Sequence, residues 1–208
     1  MALTSLNRIS IPTSNGTSGT ALLMPKLKYR FRVLLLGFGV EASTELTKQV
    51  SDVTRPKVGF EEMLIEVYNS KVKLAGKPSW EDVSLNLRDD ANGQVQKLVG
   101  QQIQKQFDFM EQASARSGID YKFQMNIEML DGGNGTLEPS ILEKWELYGC
   151  FVSNVDYGDA NYGTNEPMSV ALTIKYDNAV QFSGANGTDA ARGIGASIGR
   201  TIGEAVTG

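Results

Sequence analysis

Apolar and polar residues alternate along several segments of the chain, which predicts a protein built mainly of β-strands. In residues 121–129 every second side chain is apolar: Tyr121, Phe123, Met125, Ile127 and Met129. Residues 83–88 alternate in the same way, and residues 28–36, 145–157 and 168–177 are predicted as further strands. Because successive side chains of a strand point to opposite faces, these segments predict sheets with one buried face.

Turn residues between two such segments predict a β-hairpin. Residues 63–75 and 81–88 flank the sequence Gly76-Lys77-Pro78-Ser79, which combines glycine and proline in the manner of a tight turn. We therefore expect the hairpin to reverse direction at residues 76–79.

One stretch has a helical period instead. After Asp89 and Asp90, apolar residues recur at offsets of three or four: Val95, Leu98, Val99, Ile103, Phe107 and Met110. This stripe predicts one amphipathic helix over about residues 92–113, capped by Asp90 or Asn92 and ended by Gly118. The predicted class is thus mainly β (α+β): two packed antiparallel sheets in a barrel-like body, with the helix covering an open end or face.

Composition divides the chain into a body with an arm at each end. Residues 1–24 form a polar N-terminal arm, residues 25–181 the β domain, and residues 182–208 a Gly/Ala-rich C-terminal arm. Glycines 193, 195, 199 and 203 have the spacing G-x-G-x-x-x-G, which departs from the dinucleotide-binding pattern and follows no predicted strand. We therefore expect no cofactor in this arm.

The chain has 208 residues without a histidine, and its one cysteine is Cys150. This composition excludes histidine-dependent acid–base and nucleophilic catalysis, histidine-ligated metals and intrachain disulfides. Neighbouring acidic residues point to opposite faces of a strand or, at Asp89 and Asp90, sit where a helix begins. The predictions are that the protein is not an enzyme and holds neither a cofactor nor a metal.

The charge balance argues against a dedicated nucleic-acid binder. Lys and Arg number 20 against 24 Asp and Glu, which gives a formal charge of −4 at pH 7. Basic residues do recur at alternate positions, notably Lys71 and Lys73, which favours either a solvated strand face or a charged subunit contact. No run approaches the roughly 20 apolar residues of a membrane span, and no secretory signal is recognised, so membrane insertion is not expected.

Two ordered stretches resemble a known family. They are YNSKVKLAGKPSWEDVSLNLRDD (Tyr68–Asp90) and LEKWELYGCFVSNVDYGDANYGTNEPMSVALTIKYDNAV (Leu142–Val180). Four segments within them match a recurrent sequence pattern: Asn69–Gly76, Trp80–Asp82, Trp145–Phe151 and Asn165–Asp177. In their order and spacing these segments resemble the major tail tube proteins of long contractile-tailed phages. Neither arm belongs to the pattern.

The resemblance implies a structural role in a virion. Proteins of that family form six-fold rings that stack into a hollow tube, and each subunit lends four strands to an inner barrel with a bore of about 40 Å. DNA passes through the lumen during ejection without specific binding, and a contractile sheath encloses the tube. The implied partners are further copies of the chain, the sheath protein, the tape measure protein, and baseplate and terminator proteins. Synthesis would take place in the host cytoplasm.

Two sets of candidate residues follow from this resemblance. The predicted contacts between subunits or rings are Lys71, Lys73, Lys77 and Trp80. The predicted lumen-facing residues are Gln124, Asn126, Glu128 and Glu146. Two other functions stay open: a tube protein of a related contractile injection or type VI secretion system, and a β-rich binding module or enzyme. The last would need converging carboxylates or aromatic residues, and the sequence offers no such cluster.

Overall fold

The computed structural model describes residues 25–40, 44–131, 139–163 and 165–183. The predicted arms therefore lie outside the described residues, apart from residues 182 and 183, which end a strand. The elements follow in this order: β1 (Phe31–Leu36), α1 (Thr44–Gln49), β2 (Val50–Val53), β3 (Val58–Val67), β4 (Ser70–Trp80), β5 (Val83–Arg88), α2 (Gln94–Gln106), β6 (Phe107–Asp108), β7 (Ala113–Ser114), α3 (Gly118–Tyr121), β8 (Phe123–Leu130), β9 (Ile141–Asp156), β10 (Ser169–Lys175) and β11 (Asn178–Ser183).

The chain divides into two units by contacts, residues 1–30 and residues 31–208. In the first, the described residues 25–30 include a turn in which the Arg30 N–H donates to the Leu27 carbonyl at 3.2 Å. The strands and helices among the described residues all belong to the second unit.

The predicted mainly β class is confirmed by two antiparallel sheets that share strand β9. The first sheet has the order β1-β8-β9-β11, and the second has the order β9-β10-β5-β2. Residues up to Cys150 of β9 pair in the first sheet, and residues from Phe151 pair with β10 in the second. Gly149, with a φ of 68°, lies beside this change of partners. A left-handed residue there lets one strand serve both sheets.

One apolar core joins the two sheets, and it comes from the residues whose alternation predicted it. Val83, Leu85 and Leu87 of β5 have no exposed surface, and Leu172 and Ile174 of β10 have none either. The first sheet adds the following buried side chains to the same cluster: Val33, Leu35, Phe123, Met125, Ile127 and Leu147. The core therefore lies between the sheets, and each sheet turns its other face outward.

The predicted hairpin exists, but its predicted turn at residues 76–79 is wrong. Strands β3 and β4 pair from Val58–Trp80 to Val67–Ser70, so the chain reverses at Tyr68 and Asn69. Residues 76 and 77 lie instead at a register shift inside the ladder. A Cβ at Gly76 would lie 2.8 Å from the Glu61 carbonyl oxygen, so this glycine permits close strand approach rather than a turn.

The amphipathic helix is present as α2 but ends at Gln106, not near residue 113. The side chain of Asp108 accepts the N–H groups of Met110 at 2.9 Å and Glu111 at 3.3 Å, which favours a turn over another helical turn. Phe107 and Met110, counted as helical in the sequence pattern, are exposed. Gly118 begins α3 rather than ending α2. Two short helices, α1 and α3, were not predicted.

The start of α2 agrees better with its sequence signals. The N-cap position is Gly93, with no side-chain bond of its own. The Asp90 carboxylate nevertheless accepts the N–H of Val95 at 3.0 Å, so the predicted capping residue serves the first turn from further back. Asp89 accepts a 2.7 Å bond from the side chain of Gln96.

Helix α2 closes one edge of the second sheet. The side-chain amide of Gln106 accepts the Val152 N–H at 3.0 Å and donates to the Val152 carbonyl at 2.9 Å. Gln102 is fully buried, accepts the Gly39 N–H at 3.0 Å and donates to the Tyr121 carbonyl at 2.6 Å. These two glutamines join the helix to β9, to the segment after β1 and to α3, as expected for a helix that covers an open end.

Candidate functional site

A contiguous exposed apolar surface covers one face of the β3–β4 hairpin. The register places Met63 opposite Leu74 and Ile65 opposite Val72, with Val67 next in line. These five residues, called the apolar hairpin face below, are between 42% and 54% exposed. An isolated two-stranded hairpin is marginally stable in water, and a contiguous exposed apolar patch marks an interaction surface.

The opposite face of the hairpin is mainly charged and internally paired, with the exposed Leu64 as its large apolar residue. Lys73 lies 3.0 Å from Glu62, and Lys71 lies 2.9 Å from Glu66. All four side chains are more than half exposed, so these ion pairs contribute little to stability and mainly keep this face hydrated. The predicted contact residues Lys71 and Lys73 lie here, on the face opposite the apolar one.

The other two predicted contact residues lie nearer the base of the hairpin. Trp80 is half-buried against the core, with its ring centroid 5.7 Å from that of Tyr176. Burial raises the pKa of Tyr176 to about 12, in keeping with this packed position. Lys77 lies at the register shift opposite Glu61. The packing of Trp80 within its own chain makes it an anchor for the hairpin.

The four predicted lumen residues are brought together on the outward face of the first sheet. Gln124, Asn126 and Glu128 alternate along β8, and Glu146 pairs with Asn126 across the strands. This surface, called the first-sheet face below, consists of Arg32, Leu34, Leu36, Gln124, Asn126, Glu128, Lys144, Glu146, Tyr148, Asn178, Val180 and Phe182. Whether it lines a lumen stays a prediction.

The charged side chains on the first-sheet face form ion pairs that are partly removed from water. Glu128 is 3% exposed and lies 2.7 Å from the Arg32 guanidinium. Glu146 lies 2.5 Å from Lys144 and also accepts the Tyr148 hydroxyl. Burial acts to raise the pKa of Glu146, but the hydrogen bonds from Lys144 and Tyr148 outweigh it and lower the pKa. Apolar side chains lie on both edge strands, with Leu36 51% exposed.

The outward face of the second sheet has a different chemistry, which the sequence analysis did not single out. The two central rows of this surface, which is called the second-sheet face below, consist of Asp52, Ser84, Asn86, Asn154, Asp156, Ala171 and Thr173. Its outer rows hold Arg88 with Ser169 and Lys175 with Phe151. Asn86 donates to both carboxylate oxygens of Asp52 at 3.0 Å. The alternation in residues 83–88 indicates this polar surface, because Ser84 and Asn86 alternate with the core residues and therefore point to the other side of the sheet.

A buried polar cluster was missed as well. Glu143 is 5% exposed on the core side of the first sheet. Its carboxylate accepts the Trp145 indole N–H at 2.7 Å and the Gln181 amide at 3.0 Å, and Arg55 lies 3.7 Å away. A buried carboxylate requires such partners, so the cluster is explained by packing. No sequence signal links Glu143 to Gln181 or Arg55.

Within the described ranges, no three His, Cys, Asp or Glu side chains are grouped so that they could hold a metal ion. Cys150 is fully buried, and burial raises the pKa of its thiol to about 12. None of the helices in the same residues has the length and apolarity of a membrane span.

No protein-family model and no curated protein sequence matches the chain. Solved structures do share its fold. A chain of the anti-feeding prophage tube-terminating cap aligns with a TM-score of 0.58 at 13% identity, covering 79% of this chain and 95% of that one. A chain of the anti-feeding prophage baseplate gives 0.56 at 14% identity, covering 78% and 98%.

A third likeness is to the sheath–tube complex of PVC, an extracellular contractile injection system. It has a TM-score of 0.55 at 12% identity and covers 76% of this chain and 92% of that one. At such identities the likeness shows a shared fold, and it spans nearly the whole length of each matched chain. The fold predicted from the strand pattern and the phage resemblance is therefore confirmed.

Proposed function

We propose that this protein is a tube protomer of a contractile machine, in which rings of the chain stack into a hollow tube inside a contractile sheath. The observation that carries the proposal is the apolar hairpin face. Its five apolar side chains extend beyond the shared core, and a second copy of the chain is the occupant that would cover them repeatedly along a tube.

The form of the hairpin supports contact with another copy. One face has five apolar side chains, whereas the other has two ion pairs and the single large apolar residue Leu64, so a neighbour could cover the first while the second remains in water. Lys71 and Lys73 then lie at the rim of the contact and Trp80 fixes the base. The expected further partners are the sheath protein, the tape measure protein, and baseplate and terminator proteins.

Two forms of this proposal differ in what passes through the tube. The sequence resemblance favours a phage tail tube through which DNA passes during ejection, and the protein would then be part of the virion. The solved structures with this fold favour the second form, a tube of an extracellular injection system. Neighbouring genes distinguish the two, because terminase and capsid genes accompany the first and genes of an injection apparatus accompany the second.

Assembly of purified protein tests the proposal. We expect rings or tubes of the native chain by negative-stain microscopy at high concentration, and monomers of the double variant Ile65→Asp/Val72→Asp. The core of the monomer should stay folded, because neither side chain belongs to it, although two aspartates on paired positions weaken the hairpin itself. The matched control is the swap Glu66→Lys/Lys71→Glu, which keeps the pair on the charged face and should assemble like the native chain.

Two results would contradict the proposal. One is a folded native chain that remains monomeric at every concentration, including in the presence of isolated baseplates. The other is normal assembly of the Ile65→Asp/Val72→Asp variant, which would show that the apolar hairpin face lies outside the contact.

A further inference from the structure

The two sheets turn two different faces outward, and a ring of copies around a passage would present one of them to the passage. A passage wall stays in contact with water or with whatever moves through it. It therefore requires side chains that tolerate permanent hydration and do not hold a passenger. A face that contacts another protein instead exposes apolar and aromatic side chains together with arginine.

The first-sheet face and the second-sheet face differ first in how far their polar side chains are buried. On the first-sheet face, Asn126 is 5% exposed and Glu128 is 3% exposed. Polar groups already removed from water cannot interact with the contents of a passage. On the second-sheet face, Ser84, Asn86, Ala171 and Thr173 are half-buried, as expected in the middle of a sheet, and the flanking Asp52 and Asp156 are exposed.

The two faces also differ in the size of their side chains. The central rows of the second-sheet face contain no apolar side chain larger than that of Ala171. The first-sheet face has Leu36, Tyr148 and Phe182, together with the long side chains of Arg32 and Lys144. Short side chains in these two rows leave the middle of a passage wall smooth, and the longer basic side chains of the same face, Arg88 and Lys175, lie one row further out, at the ends of β5 and β10.

Charge and hydrogen bonding agree with this choice. The ionisable side chains in the two central rows are the carboxylates Asp52 and Asp156, which repel a polyanion, and of the two basic residues in the outer rows, Arg88 and Lys175, the second lies 3.8 Å from Asp82. The Asn86 amide is bound to Asp52 at 3.0 Å, and the Asp156 carboxylate accepts the Gly158 N–H at 2.9 Å. These groups already have partners within the chain, so they have less capacity to hold a passenger.

We infer that the second-sheet face is the wall of the passage, and that the first-sheet face, with the row Gln124, Asn126, Glu128 and Glu146, is turned away from it. The inference rests on the proposed tube, and it names the surface that meets the cargo. It reverses the assignment predicted from sequence.

Cysteine labelling of assembled tubes tests the inference. The native chain is the blank, because Cys150 is fully buried. Thr173→Cys reports on the second-sheet face and Gln124→Cys on the first. Preformed tubes of each variant are treated with biotin-maleimide, which can enter a passage, and then with streptavidin on gold particles wider than the tube itself.

We expect Thr173→Cys tubes to be biotinylated but to bind gold only at their ends, whereas gold bound by Gln124→Cys tubes lies along their length. Gold along the Thr173→Cys tubes would overturn the inference, and so would a Thr173→Cys thiol that biotin-maleimide does not reach in tubes. If Thr173→Cys does not fold, Ser84→Cys reports on the same face. Failure of the native chain to form tubes contradicts the proposed function, whereas tubes with the reversed pattern contradict this inference alone.

Discussion

The second sheet and the hairpin are two parts of one ribbon with opposite environments. Strand β2 leads into β3, and β4 leads into β5, so both regions are formed by the same two runs of chain. In β5 the apolar residues Val83, Leu85 and Leu87 have no exposed surface. In the hairpin, Ile65 and the other residues of the apolar face remain 42–54% exposed.

This difference shows what alternation means physically. A period of two specifies a strand with one apolar face, but it does not specify which surface covers that face. For β5 the cover is the rest of the core in the same chain. For the hairpin the described residues supply no such cover, and the proposed cover is another copy.

The largest expected effect comes from truncating the buried half of the ribbon. Leu85→Ala should lower the free energy of unfolding by about 2–5 kcal/mol, because it leaves a cavity in a fully buried site. Ile65→Ala is the matched variant in the exposed half and should cost less than about 1 kcal/mol in the monomer. Urea denaturation of monomeric protein measures both. Equal losses would show that the hairpin is buried within its own chain.

The next effect concerns the place where β9 passes from one sheet to the other. Gly149→Ala should cost about 1–3 kcal/mol, because φ is 68° and the new Cβ would lie 2.7 Å from the Asp177 Cγ. Gly100→Ala is the control: this helical glycine has open space around it, and alanine there should stabilise by about 0.5–1 kcal/mol. Thermal unfolding measures both, and a neutral Gly149→Ala would contradict the assigned backbone conformation.

A similar or slightly smaller loss is expected where helix α2 closes the second sheet. Gln106→Leu removes both bonds to Val152 and leaves that strand's N–H and carbonyl without them, at a cost of about 1–3 kcal/mol. Hydrogen exchange of the Val152 amide gives a local measurement. Its protection should fall in Gln106→Leu more than in Gln104→Leu, a change at an exposed position of the same helix. Unchanged protection would mean that the glutamine does not hold this edge.

The sequence predicted the buried faces of β5, β8 and β10 because a regular alternation records burial residue by residue. It failed at the hairpin turn, where Gly76 and Pro78 look like a turn locally but long-range pairing with β3 decides. Helix α2 was extended too far for a related reason. Phe107 and Met110 continue the helical spacing, whereas the side chain of Asp108 stabilises a turn that the spacing does not register.

The candidate surfaces were predictable only in part. The polar row on β8 was identified because its residues are neighbours along one strand. The second-sheet face could not be identified in this way, because Asn86 and Thr173 lie on different strands. Only the pairing register of β5 with β10 brings them onto one surface, and composition and periodicity do not specify that register. The apolar hairpin face was hidden in the same way, since Met63 and Leu74 become neighbours only when the turn is placed at residues 68 and 69.

The smallest effect is expected on the charged face of the hairpin. Lys71→Ala should change the free energy of unfolding by less than about 0.5 kcal/mol, because both partners of the Lys71–Glu66 pair are more than 60% exposed. Arg32→Ala is the informative contrast, since it leaves Glu128, which is 3% exposed, without its guanidinium partner. It should cost about 1–3 kcal/mol at neutral pH. Raising the salt concentration should diminish the Lys71 effect further and leave most of the Arg32 effect. Equal, salt-sensitive losses at both sites would mean that Glu128 is as well hydrated as Glu66, and the first-sheet face would then be hydrated enough to line a passage.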